Sequence, residues 1–550
     1  MNKEVQRVFK FRKDVDFGSL AAENDRFLST CFLDTGHIDI LLDTSNPKRV
    51  VLGRTGTGKT ALLEQMARNN KVIQIDPEAL SLQYLSNSTI LQYLSNLGIH
   101  LDLFYKLLWK HIFAVELIKS HYKLEDEQSQ KTFLHNIFVN FGKNKKKRKA
   151  IEYLIEWSKS FWEDTEYRVK EITEKLEQKV KDEVGVNFKS LHANISENAE
   201  ISREQKSDII HKAQNAVNRI QITELNDLLE LMATDIFIDP QKRYLVLIDD
   251  LDKDWVDQTV VYDLIKALLG VINDFSHTIK NVKIIIALRE NILERVMRSD
   301  TKRGPQREKF SSLYLKLHWT RQELVELFEL RLNEIFEGQY TSQLKPNYKD
   351  ILPGKTKNRP DSMEYILDRT FLRPRDLIHF LNLCVENSIG KATISWETIK
   401  SAELEYSRSR LDSVRDEWQE NYSGLEMIFK LFEGFSSTFK VEDLTDAFLH
   451  NFLESIMDIQ ITPVGSQENL PYQLLNQYIY QGEAAIPAIR IQMINVLHLI
   501  GFFGVKSRTY EGIKYSFMPS GNLDSADINS DTTLCIHPAF HRALGIKPNG

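Results

Sequence analysis

Short unbroken apolar runs alternate along this chain with longer stretches whose apolar residues recur every three or four positions. The runs are Val50–Leu52, the centre of KVIQID (71–76), Leu245–Ile248 with Tyr244 before them, and Ile284–Leu288 within KIIIALRENI (283–292). They are too short for helices and apolar on both faces, which predicts strands buried in a parallel sheet. SLYLKLHW (312–319) alternates instead, and predicts one more strand. Helical spacing follows the first run at Ala61, Leu62, Leu63, Met66 and Ala67, and the last in TRQELVELFELRLNEIF (320–336). Strands alternating with helices predict an α/β fold built on a parallel sheet.

Residues 77–240 interrupt this alternation and are far longer than an ordinary crossover. LQYLSN occurs twice, nine residues apart, and reads as adjacent helical turns. LDLFYKLLWKHIFAVELI (101–118) is apolar nearly all round and predicts a buried helix. Val169, Ile172, Leu176, Val180 and Val184 make one narrow stripe, and Ile209, Ala213, Ala216, Ile220, Leu228, Met232 and Ile236 another. With the alternating, Gly- and Asn-bearing segment between them, they predict a helical arm inserted in the core. KNKKKRK (143–149) offers charge to a phosphate backbone, but the favoured reading is a solvated loop between helices. The expected division is an N-terminal segment and core start (1–76), the insertion (77–240), the rest of the core (241–320), a helical lid (321–400) and a C-terminal region (401–550).

The ends of the strands carry the chemistry. Gly53-Arg54-Thr55-Gly56-Thr57-Gly58-Lys59-Thr60 matches G-x-x-x-x-G-K-[ST] without a mismatch, between a strand and a helix. Gly53, Gly56 and Gly58 let the backbone turn where a side chain would block it. The amides of the loop, Thr55 and Thr57 included, then converge on a phosphate at the positive end of a helix. Lys59 reaches the outer phosphates and Thr60 offers its hydroxyl to Mg²⁺. After the 244–248 run stand Asp249, Asp250 and Asp252. Alone they fit either a solvated turn or a hard cation. With the glycine loop upstream, Asp249 is expected to hold Mg²⁺ from a neighbouring strand, and Asp250 to orient or deprotonate the attacking water. Asp252 is assigned either behind the metal or to the cap of the next helix. Arg289 ends a strand and suits the terminal phosphate. Arg373-Pro374-Arg375 opens an amphipathic helix, where two cations oppose the helix dipole and call for an anion or an acid such as Asp376.

Composition narrows the classes. Apolar residues make up 42%, charged residues 27%, and the net charge is −6, so no global basic field draws nucleic acid. The three cysteines, Cys31, Cys384 and Cys535, are far apart, which excludes a disulfide framework or a cysteine zinc site and predicts a reducing, cytoplasmic setting. No apolar leader or membrane-length run is seen.

GRTGTGKT, LVLIDDLD, IIIALREN and FLRPRDLIHFLN, in this order, resemble the additional-strand class of P-loop ATPases, including KAP-like and STAND-like NTPases and relatives of the origin-recognition AAA+ proteins. Uncharacterised bacterial P-loop ATPases, some from phage-defence loci, are similar in layout. The resemblance implies a P-loop NTPase core with ATP and Mg²⁺, Arg289 in the sensor-1 place and Arg375 in the sensor-2 place. Where Asp250 stands, many AAA+ proteins carry Glu. It also implies an arginine supplied by a neighbouring subunit, for which Arg298, Arg303 and Arg307 are candidates, and hence a homo-oligomer. IPAIRIQMINVLHLIGFFGVKSRTYEGIKYSFMPSG, read as helix, strand, turn at Glu511-Gly512 and strand, resembles a winged helix with Lys506, Arg508 and Lys514 on its wing; strand and helix follow in TTLCIHPAFHRALGI. His537 and His541 are read as structural. The expected function is an ATP-hydrolysing switch acting through an effector or regulatory partner in anti-phage defence, without a membrane. The alternative is an ATP-gated DNA-binding protein. With no guanine-specific Asn-Lys-x-Asp after a predicted strand, ATP is favoured over GTP.

Overall fold

The computed structural model describes residues 10–77, 101–124, 222–251, 258–298, 310–339, 346–457, 469–506, 512–519 and 528–548, with scattered positions such as 174, 211, 521 and 523 between them. The chain forms two compact units. A sheet unit contains Asp34–Leu52 and Leu62–Lys316. A loop unit contains Met1–Leu33, Gly53–Ala61 and Leu317–Gly550, so the glycine loop belongs with the C-terminal half.

In chain order the sheet and its helices are α1 (His37–Leu42), β1 (Val50–Gly53), α2 (Lys59–Asn69), β2 (Val72–Ile75), α3 (Asp102–Tyr122), α4 (Ile222–Leu231), β3 (Tyr244–Ile248), α5 (Gln258–Thr278), β4 (Val282–Arg289), α6 (Glu290–Arg298) and β5 (Tyr314–Lys316). The sheet has five strands in the order β2-β3-β4-β1-β5. β3 pairs parallel with β4, Ile248 opposite Ile286, and β1 parallel with β5, Val50 opposite Tyr314. The expected parallel α/β core is therefore present. Burial follows position: Val282–Leu288 in central β4 are buried throughout, whereas edge strand β2 is mostly half-exposed. The order also corrects one expectation. β4 lies between β1 and β3, so Asp249 does not follow a strand adjacent to β1. Apolar patterning marks a strand without naming its partners; the crossovers decide those.

The all-round apolar 101–118 segment forms the buried helix α3, with Phe104, Trp109, Ile112 and Phe113 inaccessible. Trp109 donates Nε1–H to the Leu264 carbonyl of α5 at 3.0 Å, and Phe113 meets Phe275 edge-on. A lysine also lies in the buried run of β4. Lys283 Nζ donates to the carbonyls of Ile40 (2.9 Å) and Asp43 (2.7 Å), where α1 ends and cationic donors are favoured. Beside it, Arg49 Nη2 donates to Thr44 O at 3.2 Å. Burial pushes Lys283 down to about 7 and Arg49 down to about 10.

The loop unit is mainly helical: α7 (Arg321–Gln339), α8 (Ser362–Leu367), α9 (Pro374–Glu386), α10 (Trp396–Trp418), α11 (Leu425–Lys430), α12 (Asp446–Met457), α13 (Leu470–Gln481) and α14 (Ile486–Leu499). Sequence sets the starts: Asp361 accepts the Met363 amide, Pro374 opens α9, and Ser395 accepts the Thr398 amide. The N-terminal segment is pinned to these helices. Arg331 of α7 pairs with Asp25 at 2.5 Å and donates to Phe17 O, and Asn382 of α9 accepts the Phe17 amide.

Three short strands, β6 (Thr438–Lys440), β7 (Phe503–Lys506) and β8 (Thr533–Ile536), pair antiparallel in the order β6-β8-β7. The predicted hairpin is therefore only partly present. Val505 and Lys514 exchange two backbone bonds at 2.9 Å, but the strand pairing along β7 is β8. The helix expected after β8 is a 3-10 turn, Pro538–Phe540, opened by proline and by His537 Nδ1 accepting the Ala539 amide. His541 donates to Ile536 O at 2.8 Å, so both histidines are tied to the backbone. No described helix is long and apolar enough to cross a membrane. LQYLSN, KNKKKRK and most of the predicted arm fall outside the described residues; α4 covers part of the second stripe.

Candidate functional site

The loop from Gly53 to Thr60 ends in the first turn of α2, whose opening amides have no carbonyls behind them. Gly56 and Gly58 take positive φ, +81° and +93°. At Gly56 a side chain is excluded twice over, because an added Cβ would lie 2.6 Å from Cβ of Arg375. Arg375 stands against the loop: its amide donates to Gly56 O at 3.4 Å and its Nε to Leu20 O at 2.8 Å. Lys59 folds back over the loop, donating to Gly53 O and Arg54 O, each at 3.0 Å. Thr57 turns inward, its hydroxyl donating to Arg54 O at 2.9 Å, while Trp319 Nε1 donates to Thr57 O at 2.9 Å. Thr60 is half-buried on the first turn of α2.

The first half of the loop is held by Arg373 and by an acid that the sequence did not single out, Glu417. The Thr55 amide donates to Glu417 Oε1 at 3.0 Å, and Thr55 O accepts from Arg373 Nη1 at 2.5 Å. Arg373 also lies 2.9 Å from Asp376 and 3.4 Å from Glu417, and Asp376 takes a second cation, Arg410, at 2.5 Å. The Arg373-Pro374-Arg375 pair therefore splits. Arg373 answers to acids, the salt-bridge alternative, and Arg375 faces the loop. Burial raises the Glu417 carboxyl, but Arg373 and Arg54, together with hydrogen bonding from Thr55, more than offset it and hold it below the ordinary range. Burial likewise raises Asp376, and Arg373 and Arg410 bring it down. Arg54 is buried among Phe371, Trp418 and Phe517, and donates to Ile500 O (3.2 Å), Ser516 Oγ (2.8 Å) and Leu499 O. A charge at a variable position of the loop was the signal available for Arg54. Glu417 had none, since it sits in an ordinary helical pattern.

The remaining expected residues line one edge of the sheet. Parallel strands end on one side, so Asp249 and Asp250 after β3 and Arg289 at the end of β4 share the carboxyl edge of the sheet. Asp250 is left-handed, φ +57°, and donates its amide to Asp249 Oδ1 at 2.9 Å. Aspartate tolerates this region better than most residues, but the conformation stores strain of the kind that gathers at functional sites. All three residues are half-buried. Asp252, Arg303, Arg307 and Arg508 lie outside the described residues, and of Arg298 only the backbone is described, as the last residue of α6.

Comparison with known proteins adds three likenesses. Residues 322–415, from α7 to α10, match the FunZ-associated C-terminal helical domain. Across 98% of its length the chain is 24% identical to a protein of Escherichia coli (strain K12) described as "Putative transposon gamma-delta 80.3 kDa protein", of which it covers 68%. The solved Walker-type ATPase PABY2304 of Pyrococcus abyssi aligns over 98% of both chains with 10% identity and a TM-score of 0.35.

Proposed function

We propose that this chain is a Mg²⁺-dependent ATP-binding and hydrolysing switch that drives conformational change or assembly and acts through a partner. The observation that carries this reading is the loop itself: glycines at positive φ, the start of α2, and Lys59 folded across them. Such a loop offers amides and a positive helix end to phosphate. Thr60 and Asp249 are the hard oxygen donors for Mg²⁺, which when bound neutralises charge developing on the phosphoryl oxygens. Lys59 binds the outer phosphates, and Arg289 and Arg375 answer to the terminal one. Asp250 orients water for in-line attack on the γ-phosphorus and takes its proton as the bond to ADP breaks.

The partner and assembly parts of the reading rest on three arginines. Arg298, Arg303 and Arg307 follow β4, where the resembling ATPases draw an arginine from a neighbouring subunit. Service in anti-phage defence rests on that resemblance alone.

Steady-state hydrolysis tests the assignment. Asp250→Asn keeps shape and hydrogen bonding and is expected to bind Mg·ATP while losing about 10²–10⁴-fold in turnover. Asp249→Asn is expected to weaken Mg²⁺-dependent binding as well. Wild-type turnover in Asp250→Asn would remove its catalytic role.

A second reading, ATP-gated DNA binding, is favoured by the three-stranded sheet joined to α11–α14 and by the relative described as a transposon protein. A steep fall of duplex affinity with salt would support it; a flat profile would remove it.

A further inference from the structure

Both backbone polar groups of Thr55 are taken by buried charges from more than 300 residues away, Glu417 and Arg373. The next residue back, Arg54, is 5% exposed, and three of its acceptors come from the end of α14 and from Ser516. The last carbonyls of a helix have no amides ahead of them, and a cation there is favoured. Arg54 is thus the cap of α14, supplied by the phosphate loop.

We infer that Glu417 and Arg54 are positioning residues for nucleotide. Glu417 sets the loop's first half by holding the Thr55 amide. Arg54 fastens that half to the last turn of α14, so loop occupancy and the order of that turn rise together. The inference rests on the proposed nucleotide-binding reading. Its physical basis is the cost of separation. Withdrawing Arg54 strands a buried guanidinium and takes a donor from Ile500 O and from Leu499 O, which keeps Ser516 Oγ; withdrawing Thr55 takes a donor from a buried carboxylate. The loop cannot change shape without disturbing α14, and coupling between two sites acts equally in both directions. The Thr55 amide is engaged by Glu417 and the Thr57 amide donates to Arg54 O at 3.3 Å, so of the two amides first expected on phosphate neither faces it in this arrangement. The charge at loop position 54 and the acid at the end of α10 thereby acquire a function that neither the motif nor the strand ends require.

Hydrogen exchange on the full chain, with and without Mg·AMP-PNP, tests this. In the wild type, nucleotide should slow exchange both at 57–61 and at Ile500, Gly501 and Phe502, whose amides close the end of α14. Arg54→Met keeps apolar length among the rings and removes the cap. At saturating nucleotide it should still protect 57–61 and lose the added protection at 500–502. Glu417→Gln keeps an acceptor for the Thr55 amide and should stay within about threefold of wild-type affinity, whereas Glu417→Leu should lose roughly tenfold or more, the worth of one charge-assisted bond. A role in packing alone would make Gln and Leu alike. Protection at 500–502 that grows equally in Arg54→Met, or that stays flat in the wild type while 57–61 gains, overturns the coupling. No gain at 57–61 in the wild type removes the nucleotide reading itself, and this coupling with it.

Discussion

The sheet unit and the loop unit bury charge in opposite ways. Among the described residues, the buried cations of the sheet unit are Lys283 and Arg49, and the partners seen for both are backbone carbonyls. In the loop unit three buried arginines meet carboxylates, Arg331 with Asp25, Arg410 with Asp376, and Arg373 with Asp376 and Glu417, while Arg54 donates to carbonyls and a hydroxyl with the Glu417 charge acting on it. A carbonyl satisfies a donor but supplies no net charge, so Lys283 remains free to titrate. A carboxylate supplies the opposite charge, and each partner holds the other ionised. The glycine loop sits in the second environment. Its first half is therefore fixed by charge pairs that are costly to break, and its second half opens onto the start of α2.

The contrast predicts a graded series. Arg373→Met should have the largest effect on stability, because it takes the Arg373 ion pair from buried Glu417 and leaves Asp376 with one cation of two. Breaking a buried pair in this way costs about 3–5 kcal/mol, read as faster exchange of the α9 and α10 amides.

Next comes pH. Lys283 titrates near 7 in the folded chain and in the ordinary lysine range when unfolded. Between those limits the unfolded state holds the extra proton, so stability should rise with pH, by up to about 1.4 kcal/mol per unit. Lys283→Met should flatten that slope in urea titrations. A slope that survives the substitution would assign it to another group. The loop unit should respond in the other direction of pH. Asp376 and Glu417 sit below their ordinary values, so their contribution is present above the ordinary carboxylate range and lost as pH falls through the lowered values.

The smallest effect belongs to a pair of the same kind on the surface. Arg415 meets Asp412 and Asp416 at 3.0 Å with all three side chains exposed, and Arg415→Ala should shift stability by about 0–1 kcal/mol. A loss as large as that of Arg373→Met would mean that burial is not what separates the two.

Legibility in the sequence followed the same divide. The strands were readable because Leu245–Ile248 and Ile284–Leu288 are apolar on both faces, and the loop because Gly56 and Gly58 are required by backbone geometry. Strand order was not readable, since nothing in β3 says that β4 will stand between it and β1. Arg375 was placed by its position at the start of α9, while its neighbour Arg373 turned inward to acids. Glu417 was invisible because its partner amide lies 362 residues away. A loop side chain such as Arg54 gives no sign in one dimension that it will end a helix in the C-terminal part of the chain.

The account rests on the loop being a phosphate site, and titration calorimetry of Mg·ATP against the wild type and Lys59→Ala tests that most directly. Lys59 offers a charge-assisted contact worth about 1.5–3 kcal/mol. The account predicts an affinity lower by roughly 10–100-fold in the variant, with the nucleotide-free melting curve close to that of the wild type. Equal affinity in the two proteins, or no ATP binding by the wild type, would contradict it.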